Sequence, residues 1–162
     1  MIKYLTVLIV FLMTIGSPVA AQDFDKGYAA YEAGDYVTAL QEWKPFAESG
    51  DAQAQYNVGL MYDNGRGVPQ DHAEAVKWYR LAAEQGDASS QRNLGVAAQL
   101  GGGVLQDDVM AHMWFNIASA NGDPIAGELR DKRAGLMTTA DISKAQAMAR
   151  ECMSSGYTKC GY

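Results

Sequence analysis

At 162 residues, rich in Gly and Ala and poor in β-branched side chains, the chain has material for one domain of closely packed helices and little for a sheet. Nineteen acidic residues against 13 basic ones give a formal charge of −6 without any basic run. That excludes the positive face on which nucleic acid or anionic lipid would bind.

Residues 1–21 stand apart from the rest of the chain. Lys3 is their one charge, residues 4–15 form an almost unbroken apolar run, and Val19-Ala20-Ala21 offers small side chains for cleavage. This is the order of a secretory signal peptide. The alternative is an uncleaved anchor, but the run is short for a bilayer span of roughly 20 residues. Gly16, Ser17 and Pro18 also break it. Cleavage after Ala21 predicts a periplasmic or secreted domain over residues 22–162, with no stable membrane span and a charge of −7 once Lys3 is lost. No Cys adjoins the cleavage point, so lipid attachment is not expected there.

Beyond this segment the chain repeats itself. Gly50-Asp51, Gly86-Asp87 and Gly122-Asp123 recur at intervals of 36, as do Gly59 and Gly95, Ala75 and Ala111, Trp78 and Trp114, and Ala82 and Ala118. Tyr79 is matched by Phe115, and a more divergent copy has Asp35, Ala39, Trp43 and Ala47 at the places of Asp71, Ala75, Tyr79 and Ala83. Such self-similarity marks a solenoid of stacked units. The units fall at residues 23–50, 51–86 and 87–122, followed by closing helices over 123–153 and a tail over 154–162.

Each unit reads as a helix hairpin. Asp51, Asp87 and Asp123 stand at the N-cap of the first helix, and Pro124 suits the first helical position after such a cap. Asn64-Gly65-Arg66-Gly67 and Gly101-Gly102-Gly103 end that helix, since glycine admits left-handed backbone. Asp71 and Asp107 cap the second helix, which is expected to stop at Gly86 or Gly122. Ala75, Tyr79, Ala82 and Ala83 form its packing stripe, while Ala54 and Gly59 let its partner come close. After Gly122 the pattern departs. Thr138 and Asp141 resemble a capping box and begin a last helix to about residue 153.

The stretches Ala54-Gln55-Tyr56-Asn57-Val58-Gly59-Leu60-Met61-Tyr62, Gly65-Arg66-Gly67-Val68-Pro69-Gln70-Asp71 and Glu74-Ala75-Val76-Lys77-Trp78-Tyr79-Arg80-Leu81-Ala82-Ala83-Glu84-Gln85-Gly86 resemble the Sel-one-like repeat (SLR) family, a relative of the tetratricopeptide repeats. The likeness is specific across residues 51–122 and weaker over 23–50. It implies an all-α, α-α solenoid, and a concave groove, lined by the first helices, that holds peptides.

Registering the first helices on Gly27, Gly59 and Gly95 puts Phe24, Tyr28 and Tyr31 on that groove from the first unit. Tyr56, Leu60 and Asp63 follow from the second, then Arg92, Val96 and Gln99 from the third. Aromatics beside one cation would suit a peptide with apolar anchors and a carboxylate. The competing expectation is that several of these tyrosines are buried between units.

Signs of other chemistry are sparse. His72 and His112 lie forty residues apart, outside any metal-ligand spacing, and read as structural or surface residues. No nucleophile elbow, Ser-x-x-Lys or phosphate-cradling glycine motif occurs. Trp78 and Trp114 recur with the repeat and read as packing. No cofactor, no metal and no catalytic residue is expected. The functional expectation is a non-catalytic protein- or peptide-binding adaptor or assembly factor of the bacterial cell envelope. The alternative is an envelope hydrolase or small-ligand-binding protein whose site the sequence hides.

Cys152 and Cys160 are the two cysteines, and in an exported chain a pair this close reads as a disulfide, with two free thiols as the alternative. The bond would hold Tyr157 and Tyr162 against the closing helices.

Overall fold

The computed structural model describes residues 23–161, and within them every regular element is an α-helix. The expected signal peptide at residues 1–21, and Tyr162, lie outside the described residues. In chain order the helices are α1 (Phe24–Glu32), α2 (Tyr36–Glu48), α3 (Ala52–Asn64), α4 (His72–Ala83), α5 (Ala88–Leu100), α6 (Asp108–Ala120), α7 (Ala126–Ala134) and α8 (Thr139–Ser154). Three hairpins, α1–α2, α3–α4 and α5–α6, stack through α2 on α3 and α4 on α5.

The Gly-Asp junctions explain the repeat at the level of the backbone. Gly50, Gly86 and Gly122 adopt φ of 103°, 89° and 94°, which turns the chain out of one helix. The N–H of the following Asp then closes that helix, Asp51 onto the Phe46 carbonyl at 3.0 Å, Asp87 onto Ala82 at 3.1 Å and Asp123 onto Ala118 at 2.9 Å. Its carboxylate opens the next helix by accepting from Ala54 N at 2.7 Å, Ser90 N at 2.6 Å or Ala126 N at 2.9 Å. Helices α4 and α6 therefore stop at Ala83 and Ala120, short of the glycines that make the turn. Pro124 is not the first helical residue either. Asp123 also accepts from Ile125 N at 3.1 Å, and this turn delays α7 to Ala126.

Glycine also sets how close the two helices of a hairpin come. A Cβ on Gly27 would lie 2.3 Å from the Trp43 ring, one on Gly59 2.6 Å from Tyr79, and one on Gly95 2.6 Å from Phe115. Each aromatic is almost fully buried against the bare backbone opposite it. The predicted stripe of Ala75, Tyr79, Ala82 and Ala83 is buried, as are Ala39, Trp43 and Ala47 of the divergent first copy. Trp114 is buried too, and the half-buried Trp78 packs on the core around Trp43.

A polar chain threads the units. Gln55 and Gln91, both buried, donate to the Ala47 and Ala83 carbonyls at 3.1 Å each. Their own carbonyls accept from Gln85 and Asn121 at 2.8 Å each. Buried amides satisfied in this way contribute modestly each, but an unsatisfied one would be costly.

The stack ends differently from the way it repeats. Helix α7 continues the register onto α6, whereas α8 leaves it and lies along α6, burying Ala145, Ala149 and Cys152 against Met113, Trp114 and Ile117. The closing pair thus covers one helix from two sides. Thr138 caps α8 by accepting from Asp141 N at 3.1 Å. The short Asp141 carboxylate takes the Thr138 hydroxyl at 2.7 Å. Cys152 and Cys160 are joined by a disulfide. The enclosed Tyr157 brings its hydroxyl to Asn121, 2.8 Å from Nδ2, where it terminates the polar chain.

This packing sets the expected response to substitution. Gly59→Val should destabilise the fold by about 2–3 kcal/mol in denaturant titration, because its added carbons would overlap the buried Tyr79 ring. Gly102→Ala, with nothing within 4 Å of the added carbon, should change stability by less than about 0.5 kcal/mol. Cys152→Ser with Cys160→Ser should lower unfolding free energy by roughly 2–3 kcal/mol, the loop entropy that the bond removes.

Candidate functional site

The first helices bring four of the predicted groove residues together. Tyr28, Tyr31, Tyr56 and Leu60 surround a cleft of about 220 Å³ between α1 and α3, with Trp43, Gln53 and Asn57 completing its wall. Of the four, Tyr28 is the most open, at 39% exposure, and stands edge-on to Trp43 with ring centres 5.1 Å apart. Tyr56 and Leu60 are half-buried and lean on the core. Phe24 takes another course. It turns into the inner cluster against Phe46 and Trp43, at 5.6 and 6.2 Å, and its carbonyl accepts from the Trp43 indole.

Tyr31 has a structural partner as well. Its hydroxyl accepts from Arg66, whose guanidinium lies 5.4 Å over the Tyr31 ring and 5.2 Å over that of Tyr36. This cation–π clamp ties the loop of the second unit to the first. Asn57, 6% exposed, accepts from Gln53 Nε2 at 3.3 Å through Oδ1. Its Nδ2 is buried without a hydrogen-bond partner. A buried amide donor in that state carries an unrecovered desolvation penalty.

A second cleft, of about 490 Å³, opens between the α3–α4 hairpin and α5. Val76, Val96 and Leu100 give it apolar walls, and Asp63, His72 and Asn93 give it polar ones. His72 Nδ1 lies 2.7 Å from Asp63 Oδ1, and the Tyr79 hydroxyl donates to Asp63 Oδ2 at 3.3 Å. Burial pushes the Tyr79 phenol far above its ordinary range, so it remains a neutral donor. Burial also raises Tyr56, against the opposing pull of Arg92. The side chains lining this cleft include no Ser, Thr, Cys or Lys to act as a nucleophile. Among the described residues, no group of three His, Cys, Asp or Glu could hold a metal ion.

Arg92 lies outside both clefts and turns to Asp123, 3.5 Å away, with their side chains 22% and 2% exposed. Its charge faces the carboxylate that accepts from Ile125 N and Ala126 N in the turn before α7. Gln99 is half-buried on α5 and also lies outside both clefts. Neither Asn57 as a site residue nor the pairing of His72 with Asp63 was expected from the sequence. A signal existed for each. Asn57 recurs as Asn93 at the repeat interval, and an antiparallel hairpin returns the start of α4 to the end of α3.

The helical units match the model of the Sel1 repeat at residues 52–87 and 88–123. The crystal structure of a Sel1 repeat protein from Oxalobacter formigenes is similar at 32% identity, with a TM-score of 0.60, over 67% of this chain and 85% of that one. The chain belongs to the Sel1 repeat family. A protective antigen present in uropathogenic Escherichia coli strains, which displays an SLR fold, is similar at 27% identity and a TM-score of 0.76. That likeness covers 81% of this Sel1 repeat chain and 30% of the antigen. DAP3-binding cell death enhancer 1 of Rattus norvegicus and of Mus musculus are 45% and 42% identical over 45 residues, 28% of this chain. The chain spans about a tenth (9%) of the length of these curated relatives.

His112 lies away from both clefts, buried on α6 at the repeat position of Val76. Burial, and then the charge of Arg130, lower its pKa, with Asp131 opposing. A histidine depressed in the folded state binds its proton more readily when unfolded. It therefore costs no stability above the unfolded pKa, near 6.5, and removes stability as pH falls below that value. Unfolding titrations at pH 7.5 and 5.5 should show a loss at the lower pH that is smaller in His112→Met.

Proposed function

We propose that this Sel1 repeat protein is an exported, non-catalytic adaptor or assembly factor of the cell envelope. It holds an extended peptide segment of another protein along α1, α3 and α5. The observation that carries this reading is Asn57, whose buried Nδ2 lacks a partner at the wall of a cleft rimmed by Tyr28, Tyr31, Tyr56 and Leu60. An extended peptide supplies what such a wall lacks: a backbone carbonyl for the amide, and an apolar side chain for the aromatic walls. Val96 and Asp63 extend the surface along the second cleft.

Export is supported by the composition of residues 1–21 and by the Cys152–Cys160 disulfide, a bond suited to an oxidising compartment. No helix of the described residues is long and apolar enough to cross a membrane. The DAP3-binding cell death enhancers, named for binding a protein, share their matched stretch with this chain. A small-ligand reading is favoured by the second cleft alone, whose volume of about 490 Å³ falls in the range of small-molecule sites.

Site-specific photo-crosslinking tests the peptide reading. A crosslinker at Leu60 should capture a defined envelope protein, and one at Leu81, exposed on α4, should not. Tyr28→Ala should weaken that capture by about 1 kcal/mol while helix content and melting stay unchanged. Equal capture from both positions, or capture indifferent to Tyr28→Ala, would refute the groove.

A further inference from the structure

The groove reading leaves the chemistry of the bound segment open, and the disposition of charge narrows it. Arg92 was the cation that a partner carboxylate would have used, but it is committed to Asp123, whose carboxylate is nearly inaccessible. The second cleft contains the opposite charge. Asp63 opens onto it with its side chain 38% exposed, and the other polar groups lining the cleft are His72, Tyr79, Asn64, Gln70 and Asn93. Tyr79 donates to Asp63 Oδ2 at 3.3 Å, and His72 Nδ1 lies 2.7 Å from Asp63 Oδ1. No Lys or Arg lines the cleft.

Val76, Val96, Ala97 and Leu100 give the cleft of this carboxylate its apolar wall. A long side chain with an aliphatic stem and a cationic head matches both parts, the stem against the walls and the head toward Asp63. Arginine fits best, since its planar fork reaches a carboxylate and neighbouring amide oxygens together. The formal charge of the whole chain, −6, adds a long-range attraction of the same sign.

The two clefts also lie side by side along α3. Leu60 lines the aromatic cleft and Asp63 the acidic one, a rise of about 4.5 Å along α3, with their side chains reaching outward from it. In an extended strand, side chains two residues apart project to one side at roughly 7 Å. We infer that the partner of the groove is an extended segment carrying an aromatic or large apolar residue and, two positions away, an arginine or lysine that enters the cleft of Asp63. This rests on the peptide reading above and deepens it.

Capped synthetic peptides built on Gly-Phe-Ser-Arg-Gly, with Glu or Gln in place of Arg, provide the probes. Their binding to the full exported domain can be followed by calorimetry and by amide shift changes in α1, α3 and α5. The Arg peptide should bind about tenfold more tightly than the Glu peptide at low ionic strength, with a preference that shrinks as salt is added. Asp63→Asn, which keeps the shape and the Tyr79 bond, should abolish the preference and leave folding and the shifts around Tyr28 intact. Equal affinity of the three peptides, or a preference for Glu, with shifts still centred on Tyr28 and Leu60, would overturn the basic-residue inference and leave the groove standing. If no peptide shifts α1 or α3, the groove reading falls together with it.

Discussion

Everything in this solenoid depends on an aspartate that belongs to two helices at once. At residues 51, 87 and 123 its N–H finishes the helix before it, and its carboxylate starts the helix after it. Such a residue fixes the angle between successive hairpins through a few short bonds, leaving almost no freedom to the linker. Side-chain packing then acts on helices whose directions are already set. The glycine–aromatic contacts of Gly59 with Tyr79 and Gly95 with Phe115 complete this local geometry within each hairpin.

The parts of the fold legible in the sequence are those in which one residue type has one structural job. A left-handed turn wants glycine, a cap wants aspartate, and a close helix crossing wants glycine facing a ring. These requirements recur every 36 residues, so the helix hairpins, the buried stripe and the solenoid could be read directly. The course of α8 could not, because nothing in residues 139–154 repeats an earlier unit to disclose its partner. Its alanines suit any close helix contact, and only the packing chooses α6.

The candidate site was legible to a lesser degree, for reasons visible at particular residues. Helical periodicity gives a face to within about a third of a turn, which was enough to group Tyr28, Tyr31, Tyr56 and Leu60. It was not enough for Phe24, which Trp43 draws inward through an indole hydrogen bond to its carbonyl. Nor does periodicity show which charges neutralise one another. Arg92 and Asp123 are 31 positions apart, and their pairing joins α5 to the turn that precedes α7. Asp63 and His72 meet across the loop of their own hairpin, whose path depends on Gly65 and Gly67 in left-handed conformations.

The threaded amides make the architecture modular in one direction only. A further copy of residues 51–86 inserted between Gly86 and Asp87 would find its familiar neighbours at both junctions. Its glutamine would meet the carbonyl that Gln91 now meets, and its aspartate would cap as Asp87 does. The same insertion after Gly122 would part the closing helices from the residues they now meet on α6. There Tyr157 engages Asn121 and Arg133 engages Asp108 at 3.0 Å, pairs that a copy with Gln85 and His72 at those places would not reproduce. Lengthening by internal duplication is thus open to this chain, while growth by appending units is closed to it. The array can vary in the number of its middle units while keeping its C-terminal face unchanged.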